Sequence, residues 1–499
     1  MIYFKRHKHL LTGLLTIVFC CSVASSGLAA DVLAAPELVI QQNFQDSQPI
    51  NASFADTGRH ILLLHETVSW YGLANGQLVY DTDKTDIFTN VNQNGHLLYP
   101  VRSISQYLGF SVDWDGEQRS VGLSNPSGHQ VIFTLDSSEA LVDGEIQSLP
   151  IAPAIIDDKV MLPIRVLVEA LGGSISYEHG LLVLSDRQDP FTEAEAASLA
   201  NMKLAYLQYL QSRITTGEPI IPLAQIGGYA YWRQGLNQLY AEANGTRQFI
   251  DLGSSVQFIL GIYKDRVYYV TGEENPDSGR LLHGQICRAD LTGGQRQVLL
   301  DDYYGGGYYM PITKGLAVSH TYFLHGGGHD YIIIPGSALY DFYRLDDDQV
   351  VIIQPETPEQ STLSGLDGGF SDPLVFGDDL YHFSHSMGIS PGLYHILLRS
   401  DGTAAVQDKL FPELAFYKII ALDDHQLLAL AEPYHQELKE HGGRDIYQVD
   451  LHALTVSQLT NEHIPYFSNE HNMLVLTNDG HVLYFNEDHE LCQISPLTQ

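Results

Sequence analysis

Leu98-Tyr99-Pro100-Val101-Arg102, with Tyr107-Leu108-Gly109 and Val112-Asp113-Trp114 behind it, decides the fold of the N-terminal part of the chain because it is written twice. Sixty-three residues later stand Leu162-Pro163-Ile164-Arg165, then Ala170-Leu171-Gly172, then Ile175-Ser176-Tyr177, in one phase at all three landmarks. A fixed period of this kind marks a repeated unit. In each copy the proline is expected at the first turn of a short helix, where its missing N–H is not needed. Ile104, Tyr107 and Leu108, or Leu167, Val168 and Leu171, then recur at helical spacing. Gly109 and Gly172 suit a left-handed helix end, and the alternating stretches after them, 110–114 and 174–177, read as strands. Upstream, Asn75-Gly76 and Asp143-Gly144 read as hairpin turns.

Arg102 and Arg165 each place a cation in a first helical turn, against the helix dipole. A structural ion pair within each half is the expected compensation, because a fold requirement recurs in both copies whereas a single ligand site does not. A ligand-binding arginine is the alternative.

Downstream, Thr192 to Ile214 reads as the one long helix, with Thr192 and Glu195 as a capping box and Gly217 and Pro219 as its stop. Leu199, Met202, Tyr206, Leu207 and Leu210 form its apolar stripe. The expectation is a helix that bridges two domains and packs on one of them; a helix for a partner protein is the alternative.

From Ile221 the chain changes to short aromatic strands and glycine-rich turns. An apolar–tyrosine pair recurs as Leu239-Tyr240, Leu339-Tyr340, Leu393-Tyr394, Ile446-Tyr447 and Leu483-Tyr484, with Ile286-Cys287 at the same position of the second unit, at gaps of 47, 53, 54, 53 and 37 residues. Such periods are those of propeller blades, about 40–50 residues for four strands, so six units are expected, with five or seven left open.

At the N-terminus, Lys5, Arg6 and Lys8 precede an apolar run from Leu10 to Val23 and then small residues up to Ala30. This is the order of a secretory signal peptide, and the run is shorter than the roughly 20 residues that span a membrane. Cleavage is expected after Ala29 or Ala30. Phe19 in front of Cys20 does not fit a lipoprotein signal, which leaves Cys287 and Cys492 in the mature chain, to pair or to stay as buried thiols. The formal charge of −34 becomes about −37 once the leader is removed. Nucleic acid and anionic lipid are repelled by such a surface, while 44% hydrophobic residues exclude wholesale disorder.

The doubled order of Asn/Asp-Gly hairpin, Pro-x-Arg, Leu-Gly and aromatic strand, over residues 66–186, is similar to the N-terminal domain of copper amine oxidases in exported bacterial proteins. The resemblance implies a stalk or attachment unit. It does not bring the oxidase, whose catalysis needs a quinone made from the tyrosine of an Asn-Tyr motif and copper held partly by His-x-His. No Asn-Tyr pair occurs in this chain, and its one His-x-His is His7 to His9 in the leader. Tyr231-Trp232 and Leu380-Tyr381, with turns at Asp401-Gly402 and Asp479-Gly480, resemble six-bladed propellers of the low-density-lipoprotein-receptor type.

Catalytic readings fail on chemistry. Gly388-Ile389-Ser390-Pro391-Gly392 matches a nucleophile elbow in form, and His325-Gly326-Gly327-Gly328 an oxyanion loop. The residue after the nucleophile must donate its N–H to the oxyanion, and Pro391 has none. His325, His329 and Asp330, or His382 and His385, match no closed zinc pattern. Asp81 to Asp86 opens like a calcium loop but lacks the glycine at its sixth position and has Asn92 at its twelfth; Asp346-Asp347-Asp348 reads as a solvated turn. Weak calcium binding stays open, and no other cofactor is expected. The candidate binding surface is Tyr303, Tyr304, Tyr308 and Tyr309 with His325, His329 and Asp330, since tyrosines offer flat faces with polar tips.

The sequence therefore predicts a mainly β protein: a small duplicated α+β module followed by a six-bladed β-propeller, joined by one helix. Its expected limits are a leader over 1–30, an N-terminal segment over 31–65, the module over 66–186, the helical connector over 190–216 and the propeller over 221–499. The expected function is that of an exported bacterial, non-catalytic binding or scaffold protein, extracellular or in the cell wall. Its propeller would recognise a cell-wall glycan, a peptide or an envelope protein, with no nucleic acid and no stable membrane insertion after cleavage. The alternative is a propeller hydrolase or lyase acting on an extracellular polymer.

Overall fold

A computed structural model describes residues 40–495 except 67, 81–86, 179, 212–219, 245, 275–280, 302–320, 336–339, 346–349, 353–372, 384–391, 403, 435–442 and 465–472. The chain opens with strands β1 (Ile40–Gln42) and β2 (Ser47–Pro49) and helix α1 (Ala52–Thr57). The first copy of the repeat then runs β3 (Ile61–His65), β4 (Val68–Ala74), β5 (Gln77–Tyr80), β6 (Val91–Gln93), β7 (His96–Pro100), α2 (Val101–Tyr107), β8 (Ser111–Asp115) and β9 (Ser120–Ser124). The second runs β10 (Gln130–Thr134), β11 (Glu139–Val142), β12 (Glu145–Ser148), β13 (Ala154–Ile156), β14 (Lys159–Pro163), α3 (Ile164–Ala170), β15 (Ser174–Glu178) and β16 (Leu181–Ser185). β3 lies upstream of residue 66, and it matches β10 element for element.

The two copies exchange their last hairpins. Sheet order β12-β11-β10-β9-β8 joins the meander of the second copy to the end of the first, and β5-β4-β3-β16-β15 does the converse. Between them, β7 and β14 pair antiparallel in the sheet β13-β14-β7-β6. The duplicated turns adopt duplicated geometry. Asn75-Gly76 and Asp143-Gly144 have φ of 49°/78° and 49°/87°, the pattern of a two-residue hairpin that needs positive φ at both positions. The Asn75 and Asp143 side chains each accept the N–H of their copy's first strand, Ile61 and Gln130, both at 2.8 Å. Gly109 and Gly172 end α2 and α3 at φ 73° and 75°. Pro100 and Pro163, expected inside the first turn, instead stand just before it in extended backbone. Their fixed φ suits the last residue of a strand as well as the first of a helix. Leu62, Tyr99, Ile104, Phe133, Leu162, Leu167 and Leu184 fill the common core.

Helix α4 (Glu193–Gln211) follows. The Thr192 N–H bonds Glu195 Oε2 at 2.8 Å and the Glu195 N–H bonds Thr192 Oγ1 at 3.3 Å, the reciprocal capping box that the sequence predicts. Glu195 is fully buried, and its other oxygen takes the Arg59 guanidinium at 3.0 Å and the Thr57 hydroxyl at 2.7 Å. Arg59 also binds Asp189 at 2.7 Å and lies over the Phe191 ring. The buried stripe is Leu199, Met202, Ala205, Tyr206, Tyr209 and Leu210; Tyr209 rather than Leu207 completes it. The helix packs on both neighbours rather than one. Its stripe shares a cluster with Leu63, Leu73 and Leu78 of the module and with Val475, Leu483, Phe485 and Leu491 of the last blade.

Beyond it stand four-stranded antiparallel meanders over 220–250, 256–300, 322–352 and 374–410, here blades 1 to 4. Blade 5 (414–458) carries β1 as a fifth strand, parallel to its fourth, and blade 6 (475–494) supplies three strands that β2 completes. The chain is therefore mainly β, a duplicated α+β module and a six-bladed propeller joined by α4, and its N-terminal segment closes the last blade. Tyr240, Cys287, Tyr340, Tyr394 and Tyr447 all lie in third strands, whereas Tyr484 lies in a second; that shift accounts for the short last gap. Cys287 and Cys492 are buried and free. Buried apolar clusters join each blade to the next from 1 to 6. Among the described residues no such cluster joins blade 6 to blade 1. Blade 6 meets α4 and the module there, and Glu178 of β15 lines a cleft with blade 1, so the module stands between the two ends of the blade series. Among the described residues no helix is long and apolar enough to cross a membrane.

Candidate functional site

Tyr303, Tyr304, Tyr308 and Tyr309 lie outside the described residues, as do Ser390, His385, Asp81 to Asp86 and Asp346 to Asp348. His325 and Asp330 face each other across the tight turn between the first two strands of blade 3, and His325 Nδ1 lies 2.7 Å from Asp330 Oδ1. Asp330 also receives Lys264 Nζ at 2.6 and 2.7 Å and the Tyr263 hydroxyl at 3.0 Å, both from the matching turn of blade 2. Burial pushes the Asp330 carboxyl up, but the bonds from Lys264, His325 and Tyr263 prevail and hold it below its ordinary value. His329 Nε2 donates to the Ser400 carbonyl of blade 4 at 3.0 Å, and the Gly327 N–H to Asp378 at 2.7 Å. These side chains are brought together as a clasp joining blades 2, 3 and 4, with their polar atoms turned on one another.

Other titratable groups divide in the same way. His382 is buried, stacked on Tyr394, and burial lowers it to about 4, so it is neutral at physiological pH. Glu432, Arg444 and Asp445 are buried at one end of blade 5. There Tyr417 donates to Glu432, Arg444 lies over Tyr417, and Asp445 accepts from Thr460 and from the backbone of Glu462 and His463. Asp423, Asp424 and His425 have ligand atoms within 4.8 Å of one another, the one such group among the described residues. Asp423 already accepts the N–H of His425 and Gln426 as a turn cap. The sequence signal for these three was only a run of acids before a histidine.

The face of blade 1 turned away from blade 2 differs in kind. Strand alternation sends Tyr231, Leu239, Ala241 and Ile250 into the seam with blade 2. Register then places Trp232, Tyr240 and Phe249 side by side on the other face, and Ala230, Glu242 and Arg247 in the next row. Tyr240 and Phe249 meet edge to face at 5.5 Å, and the Arg247 guanidinium lies 5.2 Å over the Tyr240 ring. Phe249 is 53% exposed and Tyr229 47%. At the end of this row a cleft of about 500 Å³ is lined by Tyr229, Trp232, Gln225 and Glu242 of blade 1 and by Glu178 of the module. Beside Glu178, Tyr177 donates to Glu66 at 2.8 Å, and burial with that carboxylate pushes the phenol up to about 12. Flat aromatic faces bordered by carboxylates and an amide can stack on a sugar ring and accept its hydroxyl hydrogens. The sequence reading named Tyr231-Trp232 only as a strand motif; alternation puts Trp232 on the face opposite Tyr231, and the cross-strand register adds Tyr240 and Phe249 beside it.

Residues 78–183 match the family described as copper amine oxidase N-terminal domain. No curated protein matches the chain. Among solved structures, oligogalacturonate lyase from Vibrio parahaemolyticus is similar at 9% identity over 81% of this chain and 96% of that one, with a TM-score of 0.36. The β-propeller domain of Cps50 (Swd1) from Myceliophteria thermophila is similar at 8% identity over 78% and 96%, TM-score 0.31. YCF48 bound to D1 peptide is similar at 7% over 78% and 97%, TM-score 0.33. The strand order in blades 1 to 6 and the family match together give the assignment: residues 78–183 match a copper amine oxidase N-terminal domain, and the strands after α4 form a β-propeller.

Proposed function

We propose that this protein is an exported, non-catalytic binding protein of the bacterial cell envelope that recognises a glycan through the open face of blade 1. The observation that supports this is the row Trp232, Tyr240 and Phe249 leading to a cleft bordered by Glu178 and Glu242. A propeller seam normally buries such rings against the next blade; here the module borders them and leaves Phe249 half exposed. With a formal charge of −34, the preferred glycan is neutral or amino-substituted, because an anionic polymer is repelled over a Debye length of about 8–10 Å. The module serves as spacer and as one wall of the cleft. A propeller of the low-density-lipoprotein-receptor type is part of the same reading, resting on the apolar–tyrosine pairs. The test is binding of the full mature chain to arrays of neutral, amino and acidic glycans with and without calcium. Binding to none of them, or equal binding by Trp232→Ala, removes this reading.

A further inference from the structure

On the sheet β5-β4-β3-β16-β15 the outer face is covered by α4 and blade 6, which bury Leu63, Leu73 and Leu78 completely or nearly so. The repeat puts Ile132, Leu141 and Ile146 at the matching places on the sheet β12-β11-β10-β9-β8. Leu73 and Leu141 precede Asn75 and Asp143 by the same step, and Leu78 and Ile146 follow them by the same step. Leu63 and Ile132 stand equally far beyond the N–H that those turn side chains cap. Ile132 pairs with Leu141, Leu141 with Ile146, and Ile132 with Gly122 on its other side, so the three form one continuous row. They are 43, 39 and 72% exposed. Gly122, where the covered sheet has Val183, leaves a dip at the end of the row, with only the Asp113 carbonyl near a hypothetical Cβ at 3.9 Å.

We propose that this face docks an amphipathic helix of another protein, apolar on the docked side and flanked by Lys or Arg, as α4 docks on the related sheet. The covered sheet supplies the template for a helix. The flanks supply the charge, since the ionisable groups sharing this face are Asp113, Asp115 and Glu139. The same acidity disfavours a second copy of a chain whose formal charge is −34.

The probe is a synthetic peptide of residues 192–211 bearing Ala197→Lys, Ala200→Lys and Gln208→Lys, at positions that α4 leaves exposed, measured by fluorescence anisotropy against the full mature chain. The expected result is saturable binding that Leu141→Glu with Ile146→Glu weakens at least tenfold, with an unchanged circular dichroism melt; Ile146→Ser, a milder change, should give an intermediate loss. Absence of binding, or equal binding by the double variant, overturns the proposal. So does a wild-type dimer in analytical ultracentrifugation that Ile146→Glu dissociates, because the face would then belong to a second copy. Glycan binding by Trp232 is read separately and is expected to be unaffected by these variants.

Discussion

Tyr99 and Leu162 pair directly across β7 and β14, and they are the same residue of the repeat in its two copies. Leu98 pairs with Pro163 and Pro100 with Met161, so the register reads the same from either end and a local two-fold axis passes between Tyr99 and Leu162. Both side chains are fully buried in the shared core. Leu162→Ala is therefore expected to cost about 2–5 kcal/mol through lost burial and a cavity at the axis, read as a lowered urea midpoint with an unchanged slope. Ile146→Ala, on the exposed face, should move the same midpoint by no more than about 0.5 kcal/mol.

The duplicated helix ends give a paired prediction. A Cβ at Gly109 would meet the His60 ring at 3.2 Å, and one at Gly172 would meet the His129 ring at 3.0 Å, each at positive φ. Gly109→Ala and Gly172→Ala should each destabilise by about 1–2 kcal/mol from the left-handed backbone, with a further loss where the imidazole cannot move aside. Nearly equal shifts are expected in thermal melts. A neutral effect at either site would show that the two copies are not held alike.

Local chemistry made much of this legible. The Asn-Gly and Asp-Gly turns, the Leu-Gly helix ends and the Thr192–Glu195 box are signals carried by adjacent residues, and each is found as predicted. Strand exchange between the copies was not legible, because β9 and β16 have no local mark of whether they join their own meander or the other one. Nor was β2, whose residues Ser47-Gln48-Pro49 have none of the apolar alternation of a blade strand and form one only because Cys492 and Ile494 offer an open edge. The candidate site was missed for a related reason. Trp232, Tyr240 and Phe249 come from three strands, and only register sets them in a row. His325 and Asp330 were found, but their nearest cation, Lys264, is 66 residues away on another blade.

Glu195 ties the capping box of α4 to Arg59, and the pH dependence follows from its environment. Burial pushes its carboxyl up, but the Thr192 N–H, the Thr57 hydroxyl and Arg59 outweigh that and hold it below the ordinary value. A depressed carboxylate contributes stability that is complete above its unfolded pKa and is lost as pH falls through the lower folded value. The wild type should therefore lose this contribution below about pH 4.3. Glu195→Gln should be less stable by about 1.5–3 kcal/mol at pH 7, since it removes one charged partner of the buried guanidinium and leaves it Asp189, and the difference should shrink in acid. Thr192→Ala removes only the cap and should cost about 1 kcal/mol. A difference between wild type and Glu195→Gln that grows on acidification would contradict the assignment.

The blade 1 face separates recognition from stability, because its rings differ in how much of the fold they support. Phe249 is more than half exposed, whereas Trp232 is partly buried and borders the cleft. Phe249→Ala should leave the melting temperature within about 1 °C, as expected of a surface change. If it stacks on the ligand, it should weaken glycan binding about tenfold, or about 1.4 kcal/mol. Trp232→Phe should keep most of the affinity because a flat ring remains, and Trp232→Ala should lose it. Glu242→Gln should matter more for an amino sugar than for a neutral one, since only the former gains from the charge. Calorimetric titration of the four variants against one neutral and one amino oligosaccharide reads all of these outcomes. Equal affinity across the set would assign the aromatic row to the packing of blade 1 against the module.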